Sequence, residues 1–170
     1  MSDRQPSQKA GIPSARLADG IRQIRRNGRR SLDIGVLHDH LGYLIRRLQV
    51  WVFQDFIHTL ASIDIRPAQY SVLVVIAANP GLSQADLADR LGIERARLVR
   101  LLDRLERRGL TRRQPSRTDR RSHALRLTPS GRRTLKRAMA LAARHEKRLM
   151  EALGVQRHNS MMQLLRDFDR

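Results

Sequence analysis

Between residues 94 and 108 the chain carries Arg95, Arg97, Arg100, Arg104, Arg107 and Arg108, interleaved with Leu98, Leu101, Leu102 and Leu105. Those leucines fall at offsets 0, 3, 4 and 7, the spacing of one helix face, which leaves the arginines on the other sides. A guanidinium is a planar fork that hydrogen-bonds bidentately to O6 and N7 of guanine, or to phosphate. The chemistry on offer is therefore recognition of a polyanion, with no bond made or broken. Arg95 and Arg97, nearest the helix start, with Arg100 one turn on, are the candidates for base contact, and Arg104 continues the surface. The plain alternative is the solvated face of an amphipathic helix.

A second group follows. Arg112, Arg113, Arg117, Arg120, Arg121 and Arg126 stand against a single local acid, Asp119. Thr111 to Ser116 and Ser122 to Thr128 read as short extended stretches, with Leu125 and Leu127 alternating with Arg126 and Thr128. The spacing predicts a β-hairpin with an arginine-rich tip. Alone, that surface would repel itself. Beside DNA it can lie along the backbone and insert an arginine into the minor groove, where narrow A·T-rich segments concentrate negative potential. Asp119 is then an internal partner that holds the tip in shape.

These side chains need a frame. Ser83 can cap a helix with Asp86 three residues on, and that helix runs through Leu87 and Leu91 to a stop at Gly92. A short helix, a turn and a second helix with a basic outer face make a helix-turn-helix over 83–108, followed by a wing over 111–128. Upstream, Arg66-Pro67 opens a helix through Tyr70, Leu73, Val74 and Ile76 that ends at Asn79-Pro80-Gly81. Residues 66–130 thus form one DNA-reading domain. From Ile34 to Leu60, the positions Leu37, Leu41, Leu44, Leu48 and Val52 predict a long helix, and Trp51, Phe53 and Phe56 widen its apolar face. Such a helix needs more than one neighbour, and in so short a chain another subunit can supply it. After Pro129-Ser130-Gly131 a helix passes Leu135, Met139, Ala142 and Leu149 to Leu153-Gly154. A last helix, about Gln156 to Asp169, carries Met161, Leu164, Leu165 and Phe168. The regions 34–60 and 131–169 are expected to form a helical dimerisation region. Residues 1–30, with eight basic residues against Asp3 and Asp19, read as a basic arm. The fold class expected is mainly α with a small β-hairpin wing, a winged helix-turn-helix with N- and C-terminal dimerisation helices.

The text of residues 66–131 resembles the MarR family of winged-helix regulators. Ser83-Gln84-Ala85-Asp86-Leu87-Ala88 matches the first helix of the pair, and Leu98 to Leu110 matches the recognition helix. Arg113 and Asp119-Arg120-Arg121 match the wing, closed by Leu127-Thr128-Pro129-Ser130-Gly131. The resemblance implies that Arg121 is the minor-groove arginine, that Asp119 is its structural partner, and that Ser83 and Gln84 lie near phosphates. It also implies a homodimer interlocked through the first and last two helices, and extends over about residues 34–168. Two features depart from the pattern: the long basic arm, and Glu94-Arg95-Ala96-Arg97 where relatives often carry small hydroxyl residues. The second leaves the operator sequence open. The family commonly answers to a small aromatic or phenolic acid, and Tyr43, Arg46, Trp51, Phe53, Phe56, His58 and Tyr70 are the candidates to line such an effector cleft. Ordinary core packing is the alternative for the aromatics, and snorkelling for Arg46 and Arg47. An acyl-CoA thioester would give the basic arm a role as well.

Composition bounds all of this. The 170 residues hold 34 Lys and Arg against 16 Asp and Glu, a formal charge of +18, so the far field attracts duplex DNA, structured RNA or an anionic membrane alike. There is no cysteine, which removes disulfides and thiolate metal sites. No apolar run approaches the roughly 20 residues of a membrane span, no signal-peptide stretch opens the chain, and a cytoplasmic protein without membrane contact is expected. His38 and His40 are two apart and diverge on a helix, and no catalytic or phosphate-loop motif appears; neither an enzyme nor a metal or other cofactor is expected. The competing reading is a non-specific, nucleoid-type basic binder, but three Phe, two Tyr and one Trp are few for base stacking. The expected mechanism is repression. Two recognition helices about 34 to 36 Å apart would read a palindromic operator, and an effector would release it through its differential affinity for two forms of the dimer.

Overall fold

The computed structural model describes residues 32–115 and 123–168. Six helices and one hairpin are present among them: α1 (Leu41–Leu60), α2 (Pro67–Ala78), α3 (Gln84–Leu91), α4 (Arg95–Arg107), β1 (Thr111–Pro115), β2 (His123–Leu127), α5 (Pro129–Leu153) and α6 (Val155–Asp167). They divide into two compact units, Ile45–His145 and the flanking residues up to Leu44 and from Glu146. No single described helix is long and apolar enough to cross a membrane.

Local signals explain the boundaries. Pro67 supplies its fixed φ at the first position of α2, and Gln69 Oε1 accepts from the Arg66 N–H at 2.9 Å. Asn79 closes that helix, its side-chain amide donating to the Val75 carbonyl at 3.0 Å. Ser83 and Asp86 form the expected reciprocal cap: the Asp86 N–H donates to Ser83 Oγ at 3.1 Å, and the Ser83 N–H to Asp86 Oδ2 at 3.4 Å. Gly92, at φ +59°, takes the left-handed turn that an L side chain resists.

The 45–145 unit is built on one leucine-rich core. Leu60, Leu73, Ile76, Leu87, Leu98, Leu102, Leu105 and Leu125 are each 0–1% exposed, and each contributes about 1.5 to 3 kcal/mol by leaving water. The hairpin is antiparallel with Thr111 opposite Leu127 and Arg113 opposite Leu125. Leu125 and Leu127 face inward and Arg126 outward, as the alternation required. A feature the pattern did not show braces its outer edge: Gly81 N–H donates to the Leu125 carbonyl at 2.9 Å and Leu125 N–H to the Leu82 carbonyl at 3.0 Å.

Two expected boundaries are corrected. The first long helix begins at Leu41 rather than Ile34; Gly35–Asp39 is a separate 3-10 turn, and His40 is extended at its end. Asp33 accepts from the Gly35 N–H at 2.8 Å and so folds this segment locally. Of the stripe read along it, Leu37, Leu41 and Leu44 are 43%, 72% and 46% exposed within the single chain. Pro129-Ser130-Gly131, read as punctuation, is the first turn of α5, and the last helix spans Val155–Asp167. The basic arm, residues 1–30, lies outside the described residues.

The start of α5 is fixed by a close crossing. Thr128 Oγ1 donates to the Gly109 carbonyl at 2.6 Å and accepts from the Gly131 N–H at 2.9 Å, while Thr128 N–H donates to the Leu110 carbonyl at 3.0 Å. A Cβ at Gly131 would stand 1.9 Å from the Leu110 carbonyl oxygen. Gly131→Ala is therefore expected to cost about 2 kcal/mol or more in urea unfolding; a variant as stable as the parent would show that the helix start can move aside.

Candidate nucleic-acid interface

The outer face of α4 follows from how its inner face is seated. Leu98, Leu102 and Leu105 are 0–1% exposed, which fixes the rotation of the helix and turns Arg95, Arg97, Arg100 and Arg104 to solvent. At about 100° per residue, Arg95 and Arg97 lie on opposite flanks of α4. Ala96 and Arg100, four residues apart, occupy the middle of the exposed face. Beside them Val99 is 42% exposed. Neither Ala96 nor Val99 belongs to the arginine pattern, although short apolar side chains among arginines are the type that meets a thymine methyl group. Glu94 ends the preceding turn and its carboxylate accepts from the Ala96 N–H at 3.2 Å.

Two arginines of these clusters make ties within the fold. The sequence sets Arg113 in the hairpin cluster against a single local acid, Asp119. In the structure its Nη1 donates to Glu106 Oε2 at 2.5 Å, its Nη2 to Asp103 Oδ1 at 2.7 Å, and its backbone N–H to Glu106 Oε1 at 3.0 Å. One half-buried guanidinium thus ties β1 to α4 through both acids. Arg108, at the end of α4, donates to the carbonyls of Asp64 and Ile63 at 2.6 and 3.4 Å. A signal for the first tie was present: Asp103 and Glu106 are acids three apart on an otherwise cationic helix. Nothing in the spacing pointed to the second, because its acceptors are backbone atoms 44 and 45 residues away.

Ser83 and Gln84 stand half-buried at the N-terminus of α3, the Ser83 hydroxyl engaged in the cap. Arg117, Asp119, Arg120 and Arg121 fall on residues 116–122, outside the described residues. Arg112 and Arg126, paired across the hairpin, are both exposed.

The aromatic candidates for an effector site are only partly brought together. Phe56 and Tyr70 meet edge to face, with ring centroids 5.4 Å apart. Phe56 also lies 4.9 Å from the ring of buried His145, whose Nδ1 is 2.6 Å from Asp55 Oδ2. On α1, Arg46 and Phe53 are seven residues apart and share one side, Trp51 and His58 another. Arg46, Phe53 and His58 are exposed, Tyr43 and Trp51 half-buried. The His58 ring is taken up by the Gln54 carbonyl at 2.7 Å. Among the described residues no three His, Asp or Glu side chains cluster as a metal site would need.

The MarR family model matches residues 63–122, which spans α2, the helix pair and β1. The chain is 34% identical over 133 residues to the Thauera aromatica protein assigned as transcriptional regulator of the hcr operon, covering 78% of this chain and 80% of that one. Among solved structures, the transcriptional repressor CouR bound to a 23-mer DNA duplex superposes with TM-score 0.78 and 47% identity, over 82% of this chain and 99% of that one. CouR bound to p-coumaroyl-CoA gives TM-score 0.77 and 44% identity over the same shares.

The Arg113 tie has a measurable consequence. Arg113→Met frees the carboxylates of Asp103 and Glu106 beside the exposed arginines of α4 and removes the side-chain tie to β1. The expected result is about 1 kcal/mol lost in unfolding, since both acids are partly solvated, and at least tenfold weaker duplex binding in a filter or anisotropy assay. Parental DNA affinity would show that the hairpin needs no such anchor.

Proposed function

Because the chain belongs to the MarR family of DNA-binding transcriptional regulators, we propose that it is a homodimeric repressor that binds a palindromic operator through α4 and the hairpin and is released by an aromatic acyl-CoA thioester. The observation that carries this reading is the leucine-seated α4, whose exposed face is cationic while its acids are engaged internally. In this reading Arg95, Arg97 and Arg100 meet base edges, and Arg104 with Ser83 and Gln84 meets the backbone. Arg117, Arg120 and Arg121 serve the minor groove, with Asp119 shaping the tip.

The dimer is proposed through residues 34–60 and 131–169. Support comes from the apolar side chains these segments leave in water within one chain: Val36 at 68% exposure, Leu164 at 61%, Leu165 at 58% and Phe168 at 88%. Isolated exposed apolar residues are ordinary, but clusters on terminal helices mark surfaces that associate. Two copies would set two recognition helices about 34 to 36 Å apart, one helical turn of DNA.

The effector class rests on CouR, one of whose structures holds p-coumaroyl-CoA. Here a phenolic acyl group would draw on the rings of Phe56 and Tyr70 and on Tyr43, Trp51, Phe53 and His58. The phosphates of the CoA moiety would be met by Arg46 and the basic arm, residues 1–30. Such a ligand lowers operator affinity only by its preference for the DNA-free form. No catalytic step is assigned to the chain, and its place of action is the cytoplasm, where DNA and CoA thioesters meet.

Selection of bound duplexes from a random library at near-physiological salt is expected to return an inverted repeat, and p-coumaroyl-CoA to weaken binding to that repeat. An unenriched pool would favour a non-specific nucleoid-type binder; an enriched repeat indifferent to the thioester would remove the effector. Leu165→Asp is expected to yield a folded monomer by light scattering with weakened operator binding, and a variant that stays dimeric would place the interface elsewhere.

A further inference from the structure

We propose that Arg108 is a positioning residue for DNA reading: it locks the end of the recognition helix to the corner between α1 and α2 and sets the pitch of α4 without itself touching DNA. The inference rests on the assignment of α4 as recognition helix.

The corner is made to receive a cation. α1 ends in the 3-10 turn Ala61–Ile63, and Asp64 follows in the left-handed conformation at φ +49°. Carbonyls at a helix C-terminus lack intrahelical partners and carry the negative end of the helix dipole. The Arg108 fork answers two of them, Nη1 on the Asp64 carbonyl at 2.6 Å and Nη2 on the Ile63 carbonyl at 3.4 Å. Asp64 Oδ2 adds a weaker approach at 3.5 Å, with its side chain 82% exposed.

Its place relative to the other tie is what gives Arg108 leverage. Leucine packing is non-directional and permits small tilts, so polar ties must define the pitch. Arg113 holds Asp103 and Glu106 on the hairpin side of α4. Arg108 lies about 140° around the axis from Asp103, and so holds the opposite flank. With only one tie left, α4 can rock about it. Arg95 is eight residues, about 12 Å, from Asp103, so a tilt of about 5° moves it by about 1 Å. A bidentate contact to a base edge does not survive such a shift intact, whereas a contact to the continuous phosphate backbone does.

Specific and non-specific binding should therefore separate. Arg108→Met is expected to weaken binding to the selected operator about tenfold and to leave affinity for unrelated duplex within twofold. The slope of log affinity against log salt should not change. If Arg108 contacts phosphate, both affinities fall together and the slope drops by about one, which overturns the proposal; so does an unchanged operator affinity. Arg108→Lys keeps the charge and the ability to meet phosphate but loses the fork. It is expected to show a reduced operator-to-unrelated ratio, and a parental ratio counts against the clamp. The Lys variant supplies the test should the Met variant fail to fold, as read by its thermal midpoint. Failure of the recognition-helix assignment would be seen separately, as an Arg100→Ala variant with parental operator affinity and sequence preference.

Discussion

The first turn of α5 lies so close against the carbonyl of Leu110 that a side chain at Gly131 would collide with it. Gly131 admits that approach because it has no Cβ, and Thr128 secures it with hydrogen bonds to both Gly109 and Gly131. At this point the end of α4, the first strand of the hairpin and the start of α5 are all within one turn of one another. The direction in which the hairpin leaves follows from that crossing, while the leucines beneath α4 set the face it turns outward. Leu110 at 4% exposure and Leu127 at 7% then continue the core beneath it.

Charge is sorted as strictly as apolar surface. The 45–145 unit is rich in arginine, yet the acids of α4 do not neutralise its outer face. Glu94 caps its own helix, and Asp103 and Glu106 are spent on Arg113. The exposed arginines are left to act on something outside the chain, and the polyanion that the charge of +18 calls for is the natural counterpart. The same residue type thus stands in two settings: Arg113 and Arg108 tie elements together, and the exposed arginines of α4 face solvent.

Much of this could be read from residue spacing, because the elements at the centre of the domain carry their own boundary chemistry. Ser83 with Asp86, Gly92, and Asn79-Pro80-Gly81 are local signals, and local signals do not depend on the rest of the fold. The leucines of α4 are equally legible, since one period of 3.6 suffices to find its buried face. What failed to show was non-local. The apolar stripe from Leu37 to Leu48 looks the same whether it is broken at His40 or continuous. The roles of Arg108 and Arg113 depend on which acceptors the fold brings to them, and the edge bonding of Gly81 and Leu82 to Leu125 depends on backbone atoms that any residue would have. For the effector candidates, spacing could name aromatic residues but not their sides; Phe56 and Tyr70 meet edge to face.

The seating of α4 also bears on how such a protein changes over generations. Arg95, Ala96, Arg97, Val99 and Arg100 are all exposed, while the leucines, Asp103, Glu106 and Arg108 hold the helix in place. With α4 reading DNA as proposed, substitutions at the first group would alter what is read at little cost to stability, and substitutions at the second would do the reverse. A single replacement at an exposed position would then move the scaffold toward a new operator with its fold intact.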